Sequence, residues 1–211
     1  MVQSVLSTET VTLFFAVSLG LALSPGPDNV FVLAQSAMNG RRAGLMVTLG
    51  LCTGLLVHSA AVAFGVAAVI KNTEYGFFII KLFGAAYLSY LALHLFGAQA
   101  MTLGQSQTAV RSARLYRRGI VMNLTNPKVA IFFLAFLPQF TDPEKGSVTI
   151  QLLALGAVFI VATALVFGVI AWFSGFLRER LFDSPRAQHV LNRTAAVLFA
   201  ALAVNLFMTD F

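Results

Sequence analysis

Two proline-containing motifs, each with a charged side chain, interrupt long apolar segments of this chain. The motifs are Ser24-Pro25-Gly26-Pro27-Asp28-Asn29 and Asn123-Leu124-Thr125-Asn126-Pro127-Lys128. Within a bilayer, non-helical backbone is tolerated only where protein or a water-filled cavity satisfies the freed N–H and C=O groups. Matching interruptions in two halves of a chain indicate a transporter binding site. The two motifs therefore predict a small-solute site between two broken helices.

The backbone chemistry of both motifs favours helix ends inside the membrane. Pro25–Pro27 should end one half-helix and begin another near Asp28, because proline removes a backbone donor. Asn126 followed by Pro127 is typical of an N-cap and a first helical residue. Each restart would direct N–H groups and a positive dipole end towards the middle of the protein. Such an end suits an anion, for example a substrate carboxylate.

Charged side chains at membrane depth are the second signal. Asp28 and Lys128 each cost about 2.5–3.5 kcal/mol to insert. Asp28 complements the helix start beside it, whereas Lys128 has no such structural reason, because a cation at a helix N-terminus is unfavourable. Two interpretations stay open: a buried ion pair that joins the halves, and groups that contact solute or a coupling proton. His58 is either a proton relay or a buried neutral histidine bonded to a carbonyl.

Composition requires lipid as the solvent. Hydrophobic residues make up 58% of the 211 residues and charged residues only 10%, which no soluble domain could bury. The net charge of +6 comes mostly from short loops, and membrane orientation explains it without nucleic acid. With one cysteine, Cys52, and no metal-ligand spacing among the histidines, we expect no disulfide framework, metal or cofactor.

Six apolar runs of about 20 residues predict an all-α membrane protein with six transmembrane helices. The runs are roughly 9–38, 42–70, 76–97, 116–140, 148–177 and 188–208. Lysine and arginine concentrate in the first, third and fifth loops, which places those loops in the cytoplasm and both termini outside.

The span count also predicts an inverted repeat. A single transmembrane domain, 1–211, would hold three helices in 9–97, a cytoplasmic linker in 98–115, and three helices in 116–208. Repeats with an odd number of spans have opposite orientations in the membrane. Pro27 and Pro127 then occupy matching positions, so helices 1 and 4 are the ones predicted to be broken.

Five short sequence motifs give information that hydropathy alone does not. They are Ser24-Pro25-Gly26-Pro27-Asp28, Gly40-Arg41-Arg42-Ala43-Gly44, Lys81-Leu82-Phe83-Gly84-Ala85-Ala86-Tyr87-Leu88, Asn123-Leu124-Thr125-Asn126-Pro127-Lys128 and Phe136-Leu137-Pro138-Gln139-Phe140. In order and spacing they resemble the LysE/RhtB family of amino-acid exporters, which includes homoserine/threonine-type efflux proteins. The resemblance implies efflux of amino acids or close derivatives, driven by the proton motive force, across a prokaryotic cytoplasmic (inner) membrane.

The fifth span departs from that family. Many members place an acidic residue there, whereas 148–177 carries uncharged polar side chains such as Gln151, Thr163 and Ser174. This difference favours neutral over dibasic substrates. A channel, or a subunit without its own solute path, is the alternative. An intramembrane enzyme is less favoured, because no G-x-S-x-G, H-E-x-x-H or paired-aspartate motif is present.

The resulting hypothesis is a carrier with its site at the two breaks. The substrate carboxylate would meet Asn126 and Lys128, and its ammonium would meet Asp28 and freed carbonyls around Ser24–Gly26. Asp28 would exchange a proton for substrate, with His58 as a second proton-coupling candidate. Expected partners are the amino acid, protons and lipid; the oligomeric state stays open, a homo-oligomer included.

Overall fold

The computed structural model describes residues 6–24, 26–72, 111–177 and 184–208, together with individual residues between 78 and 97. Pro25, most of the predicted third span and most of the 98–115 linker lie outside the described residues. Every regular element in the described ranges is helical. The helices are α1 (Thr8–Leu23), α2 (Pro27–Asn39), α3 (Arg41–Asn72), α4 (Ser112–Thr125), α5 (Pro127–Ile131), α6 (Val148–Trp172), α7 (Ser174–Leu177) and α8 (Pro185–Met208).

The first predicted span is broken where its prolines stand. Helix α1 ends at Leu23, and Pro27 is the first residue of α2 after an extended Gly26 (φ −170°). The axes of α1 and α2 differ by 63°. Because proline has no N–H to continue the ladder, the chain restarts a helix in a new direction.

The fourth predicted span is broken in the same way. Helix α4 ends at Thr125, and α5 begins at Pro127 and continues through a π-helical turn, Phe132–Phe136, and a 3₁₀ turn, Leu137–Phe140. The direction changes by 53°. The Asn126 side chain caps the new helix by accepting a hydrogen bond from the Lys128 N–H. Both predicted breaks are thus confirmed, with the N-cap and first-residue roles of Asn126 and Pro127.

Two unbroken helices in the described part of the chain are long and apolar enough to span a membrane. They are the stretches Arg41–Gly65 and Val148–Trp172, with mean hydropathy of 1.9 and 2.7. Each bent pair adds one more span if it crosses as a unit, giving two to four. The six-helix count and the repeat symmetry remain predictions.

Two apolar clusters form the core, and α3 and α6 contribute to both. The first cluster includes Leu55 of α3, Phe159 of α6 and the buried rings of Phe132 and Phe133. The second includes the first turns of α3 and the last turns of α6, with Val32 and Leu33 of α2. Since the start of one helix meets the end of the other, α3 and α6 run antiparallel. The clusters lie towards opposite ends of these central helices.

Glycine permits the close approach of α3 to α4. A Cβ on Gly50 would contact the Tyr116 carbonyl oxygen and lie 3.0 Å from the Gly119 Cα. A Cβ on Gly54 would lie 2.7 Å from the Asn123 Oδ1. Small residues let transmembrane helices pack closely, so these two positions hold α4, and with it the second break, against α3.

Replacing Gly50 with valine should lower the thermal midpoint of the detergent-purified protein by about 5–10 °C, because overpacking against backbone costs about 2–3 kcal/mol. Gly65 offers a matched control, since a Cβ there has nothing within 4 Å. Gly65→Val, which adds the same side chain where nothing lies close, should not lower the thermal midpoint. Equal midpoints for Gly50→Val and wild type would contradict the close contact between α3 and α4.

Candidate functional site

A hydrogen bond joins the two helix breaks directly. The Asn126 Nδ2 donates to the Asp28 Oδ2 over 2.9 Å, between residues 98 positions apart in the chain. Both side chains are buried. Because the Asn126 Oδ1 also accepts from the Lys128 N–H (3.0 Å), one amide caps α5 and bonds to the carboxylate at the start of α2. The structure therefore brings Asp28, Asn126 and Lys128 together.

Lys128 has a structural contact that the sequence analysis missed. Its Nζ donates to the carbonyl oxygens of Leu21 (3.2 Å) and Ser24 (3.0 Å). These carbonyls belong to the end of α1, where broken backbone bonding and the helix dipole favour a cation. The expectation that Lys128 has no structural reason is therefore wrong. It starts its own helix, but its ammonium reaches the C-terminal end of another.

Asp28 and Lys128 are neighbours without a direct contact. Among the described residues, the one salt bridge within 4.0 Å joins Asp142 and Lys145 (3.0 Å). Asp28 instead accepts from Asn126, and Lys128 donates to backbone carbonyls. The carboxylate and the ammonium thus interact through space, and each keeps its own polar partner.

A cavity lies where these groups meet, between the two apolar clusters. The lining residues come from both breaks and from α3 and α6: Leu21, Ala22, Gly26, Asp28, Asn29, Leu55, Asn123, Asn126, Lys128, Val129, Phe159, Thr163 and Phe167. Charged and amide groups lie on the side of the breaks, and apolar side chains form most of the remaining wall. This is the composition of a small-molecule site.

Unpartnered polar atoms concentrate around the cavity. Within the described part of the chain, the Asp28 Oδ1, Asn123 Oδ1 and Thr163 Oγ1 are buried and have no hydrogen-bond partner, and the Ser24 Oγ is in the same condition. Buried polar atoms are nearly always bonded, because leaving them unpaired costs free energy. These atoms are therefore candidates for hydrogen bonds to a bound molecule.

The other predicted residues occupy supporting positions. The Asn29 Nδ2 donates to the Ala22 carbonyl (2.7 Å), which ties the start of α2 to the end of α1. Gly26 lies beside the lysine, since a Cβ there would be in ordinary van der Waals contact with the Lys128 Nζ, at 3.5 Å. Pro27 begins α2. The backbone around the first break is thus held by side chains that the sequence had singled out.

His58 lies beside the second break rather than in the cavity wall. Its Nε2 is 3.2 Å from the Asn123 carbonyl oxygen, and its ring centroid is 5.7 Å from that of Phe133. The contact with a backbone carbonyl is the one that the non-relay interpretation predicts, but the side chain is half-buried rather than buried. A proton-relay role for His58 stays a prediction.

Sequence reasoning missed the wall that α6 contributes. Phe159, Thr163 and Phe167 line the cavity at positions i, i+4 and i+8, which share one helix face. The available signal was a single buried hydroxyl in the middle of an almost wholly apolar helix. Gln151, noted on the same helix, has a different place: its side chain bonds to Asp142 and Gly146 backbone groups in the loop before α6.

Asp142, in the loop before α6, is a carboxylate that does not line the cavity. A hydrogen bond from Lys145 and the backbone N–H of Glu144 hold the pKa of Asp142 below its usual range. A lowered pKa favours the ionised form of this carboxyl group. In the described ranges, no three His, Cys, Asp or Glu side chains come together as a metal site.

Comparison with known proteins places the chain in a family. Residues 19–210 match the family described as LysE type translocator. A homoserine/homoserine lactone efflux protein of Salmonella typhimurium is 32% identical over 191 residues, covering 85% of this chain and 86% of the relative. A leucine efflux protein of Salmonella choleraesuis is 26% identical over 188 residues, covering 88% and 89%. An uncharacterized membrane protein of Vibrio cholerae is 32% identical over 180 residues, covering 84% and 86%.

No solved structure matches the chain. The family match spans most of the sequence, including both proline motifs and the α6 wall of the cavity. Two relatives that align over more than four fifths of the chain are efflux proteins by name. This protein therefore belongs to the LysE family of translocators.

Proposed function

We propose that the protein is a secondary transporter that exports neutral amino acids or close derivatives across the cytoplasmic membrane in exchange for protons. Its family membership supports the transporter class. The efflux of homoserine, homoserine lactone and leucine named for relatives supports the solute class. The absence of Asp, Glu, Lys and Arg from α6 supports neutral solutes.

One observation carries the proposal: two broken helices meet at a cavity and contribute opposite charges to it. Asp28 comes from the start of α2 and Lys128 from the start of α5. A zwitterionic amino acid presents an ammonium and a carboxylate at one end, which matches this pair. The unpartnered Asp28 Oδ1 and Asn123 Oδ1 would accept hydrogen bonds from the substrate ammonium.

Binding would change the partners of Lys128. Its ammonium occupies the Leu21 and Ser24 carbonyls, which are also suited to the ammonium of an amino acid. A substrate ammonium near Asp28 would compete for them and release Lys128 towards the substrate carboxylate. The lysine would then stabilise the helix break when the site is empty and the substrate when it is filled.

Proton exchange would occur at Asp28, and the two apolar clusters would close the path on either side in turn. A protonated Asp28 loses its attraction for the substrate ammonium, so proton and substrate would bind alternately. In the proposed 3+3 inverted repeat, α1–α2 and α4–α5 are equivalent broken helices, and α3 and α6 are equivalent central helices. Rocking of one repeat against the other would expose the cavity first to the cytoplasm and then to the outside.

Counterflow in proteoliposomes tests the carrier itself. Vesicles loaded with unlabelled homoserine or leucine should transiently accumulate the external labelled solute above its equilibrium level, and the initial rate should saturate with concentration. Protein-free vesicles give the background. Flux that only equilibrates and rises linearly with concentration would indicate a channel and contradict the proposal. Absence of flux with both solutes would contradict it for these substrates.

A further inference from the structure

We propose that Thr163 determines substrate specificity, and that its hydroxyl bonds to a side-chain hydroxyl of the transported amino acid. The inference rests on the proposed function and identifies the preferred substrate class as small neutral amino acids with a hydroxylated side chain. It begins from a hydroxyl on α6 that differs from its neighbours in the helices of this protein.

Buried hydroxyls in these helices normally bond to their own helix. The side chains of Ser18, Ser36, Thr48 and Ser59 each donate to the carbonyl four residues earlier, over 2.6–3.0 Å. Such back-bonding satisfies a hydroxyl that has no water to contact. Thr163 is also buried, with 3% of its surface exposed, yet its Oγ1 has no partner in the described part of the chain.

Thr163 lies where its hydroxyl can bond to a molecule in the cavity. It lines the cavity one helical turn from Phe159 on one side and from Phe167 on the other. The ring of Phe159 is fixed by Phe132 and Phe133, with ring centroids 5.2 Å apart in both pairs. The α6 wall is therefore a hydroxyl between two aromatic rings, without a charge.

The charges at the helix breaks orient the substrate. Asp28 and Lys128 belong to the helix breaks, so they attract the ammonium and carboxylate of an amino acid. The side chain then faces the remaining wall, where Thr163 is the polar group of α6. A hydroxyl on the substrate side chain would form a hydrogen bond with the Thr163 hydroxyl. An aliphatic side chain of the same shape would leave the Thr163 hydroxyl buried and unpaired. The wall should thus favour homoserine over norvaline, in which a methyl replaces the hydroxyl.

Competition in the counterflow assay measures this preference. In the wild type, half-inhibition of the counterflow of labelled solute should require a higher concentration of norvaline than of homoserine. Thr163→Val should reduce the ratio of these two concentrations by about tenfold. Thr163→Ser, which keeps the hydroxyl, should retain the wild-type preference. Thr48→Val is the matched control, because it removes a buried hydroxyl from α3 outside the cavity.

The outcomes test the specificity role of Thr163 and the transport function separately. The specificity role of Thr163 is overturned if Thr163→Val shows counterflow with the wild-type ratio of norvaline to homoserine half-inhibition concentrations. It is also overturned if the wild type shows no preference for homoserine. Either result leaves the transport function standing. A wild type without counterflow of homoserine, norvaline or leucine contradicts the proposed function and this inference together. If Thr163→Val binds but does not transport, the thermal stabilisation of purified protein by each solute supplies the same ratio.

Discussion

Replacing Asp28 with asparagine should reduce proton-driven efflux by about 100-fold or more while folded protein remains in the membrane. Asparagine has almost the same shape, and its Oδ1 still accepts the hydrogen bond that Asn126 donates to Asp28 (2.9 Å). It has no proton to exchange. The measurement compares the release of labelled amino acid from proteoliposomes with and without an imposed pH gradient that is acidic outside.

Asp142→Asn is the matched control for Asp28→Asn. Asp142 is a loop carboxylate whose lowered pKa keeps it ionised, so its neutralisation should leave the response to the gradient unchanged. The thermal midpoint of Asp28→Asn should fall less than that of Lys128→Met, because the Lys128 ammonium keeps its two carbonyl acceptors while it loses its nearby carboxylate. Gradient-driven release at the wild-type rate in Asp28→Asn would refute the proton-carrying role.

Replacing Lys128 with methionine should abolish transport and lower the thermal midpoint by about 10 °C. The apolar side chain keeps the length of lysine but leaves the Leu21 and Ser24 carbonyls without their donor. It also leaves Asp28 without its nearby cation. Removing one partner of a buried charge pair costs about 3–5 kcal/mol, and each kcal/mol shifts the midpoint of a chain of this size by about 2–4 °C.

The double variant Asp28→Asn with Lys128→Met separates a structural role from a binding role. It has no uncompensated charge, so its midpoint should recover most of the loss seen in Lys128→Met. Transport should stay absent, because both groups proposed to bind the substrate are missing. Recovery of transport together with stability would mean that the charges serve the fold alone. Lys145→Met, which removes the cation of the exposed loop pair, should transport normally.

The helix breaks could be predicted because their cause is local. Pro27 and Pro127 determine where a backbone donor is missing, and Asn126 is a strong N-cap wherever the chain places it. The predicted spans 42–70 and 148–177 likewise correspond to the long helices α3 and α6. These features depend on neighbouring residues along the chain, which a sequence displays directly.

The contacts across the site could not be predicted in the same way. Lys128 bonds to the end of α1 and Asn126 bonds to Asp28 because two bent helices meet at particular angles. Spacing along the chain contains no information about that meeting. A dipole argument applied to α5 alone gave Lys128 the wrong environment, since its long side chain leaves its own helix.

The α6 wall was hidden for another reason. Almost every residue of α6 is apolar, so periodicity does not distinguish the face towards protein from the face towards lipid. Thr163 was visible as a polar residue, but its position between Phe159 and Phe167 at the cavity emerges only from packing. The π-helical turn Phe132–Phe136, which places aromatic rings against Phe159, also has no marker in the sequence.

The most direct test of the central claim uses wild-type protein in liposomes with a pH-sensitive dye trapped inside. Homoserine, leucine and other neutral amino acids are added one at a time, with Asp28→Asn vesicles alongside. We predict proton movement that depends on the amino acid, saturates with its concentration and is absent in Asp28→Asn. Saturable amino-acid flux without any proton movement, at rates that ignore an imposed pH gradient, would contradict a proton-coupled carrier.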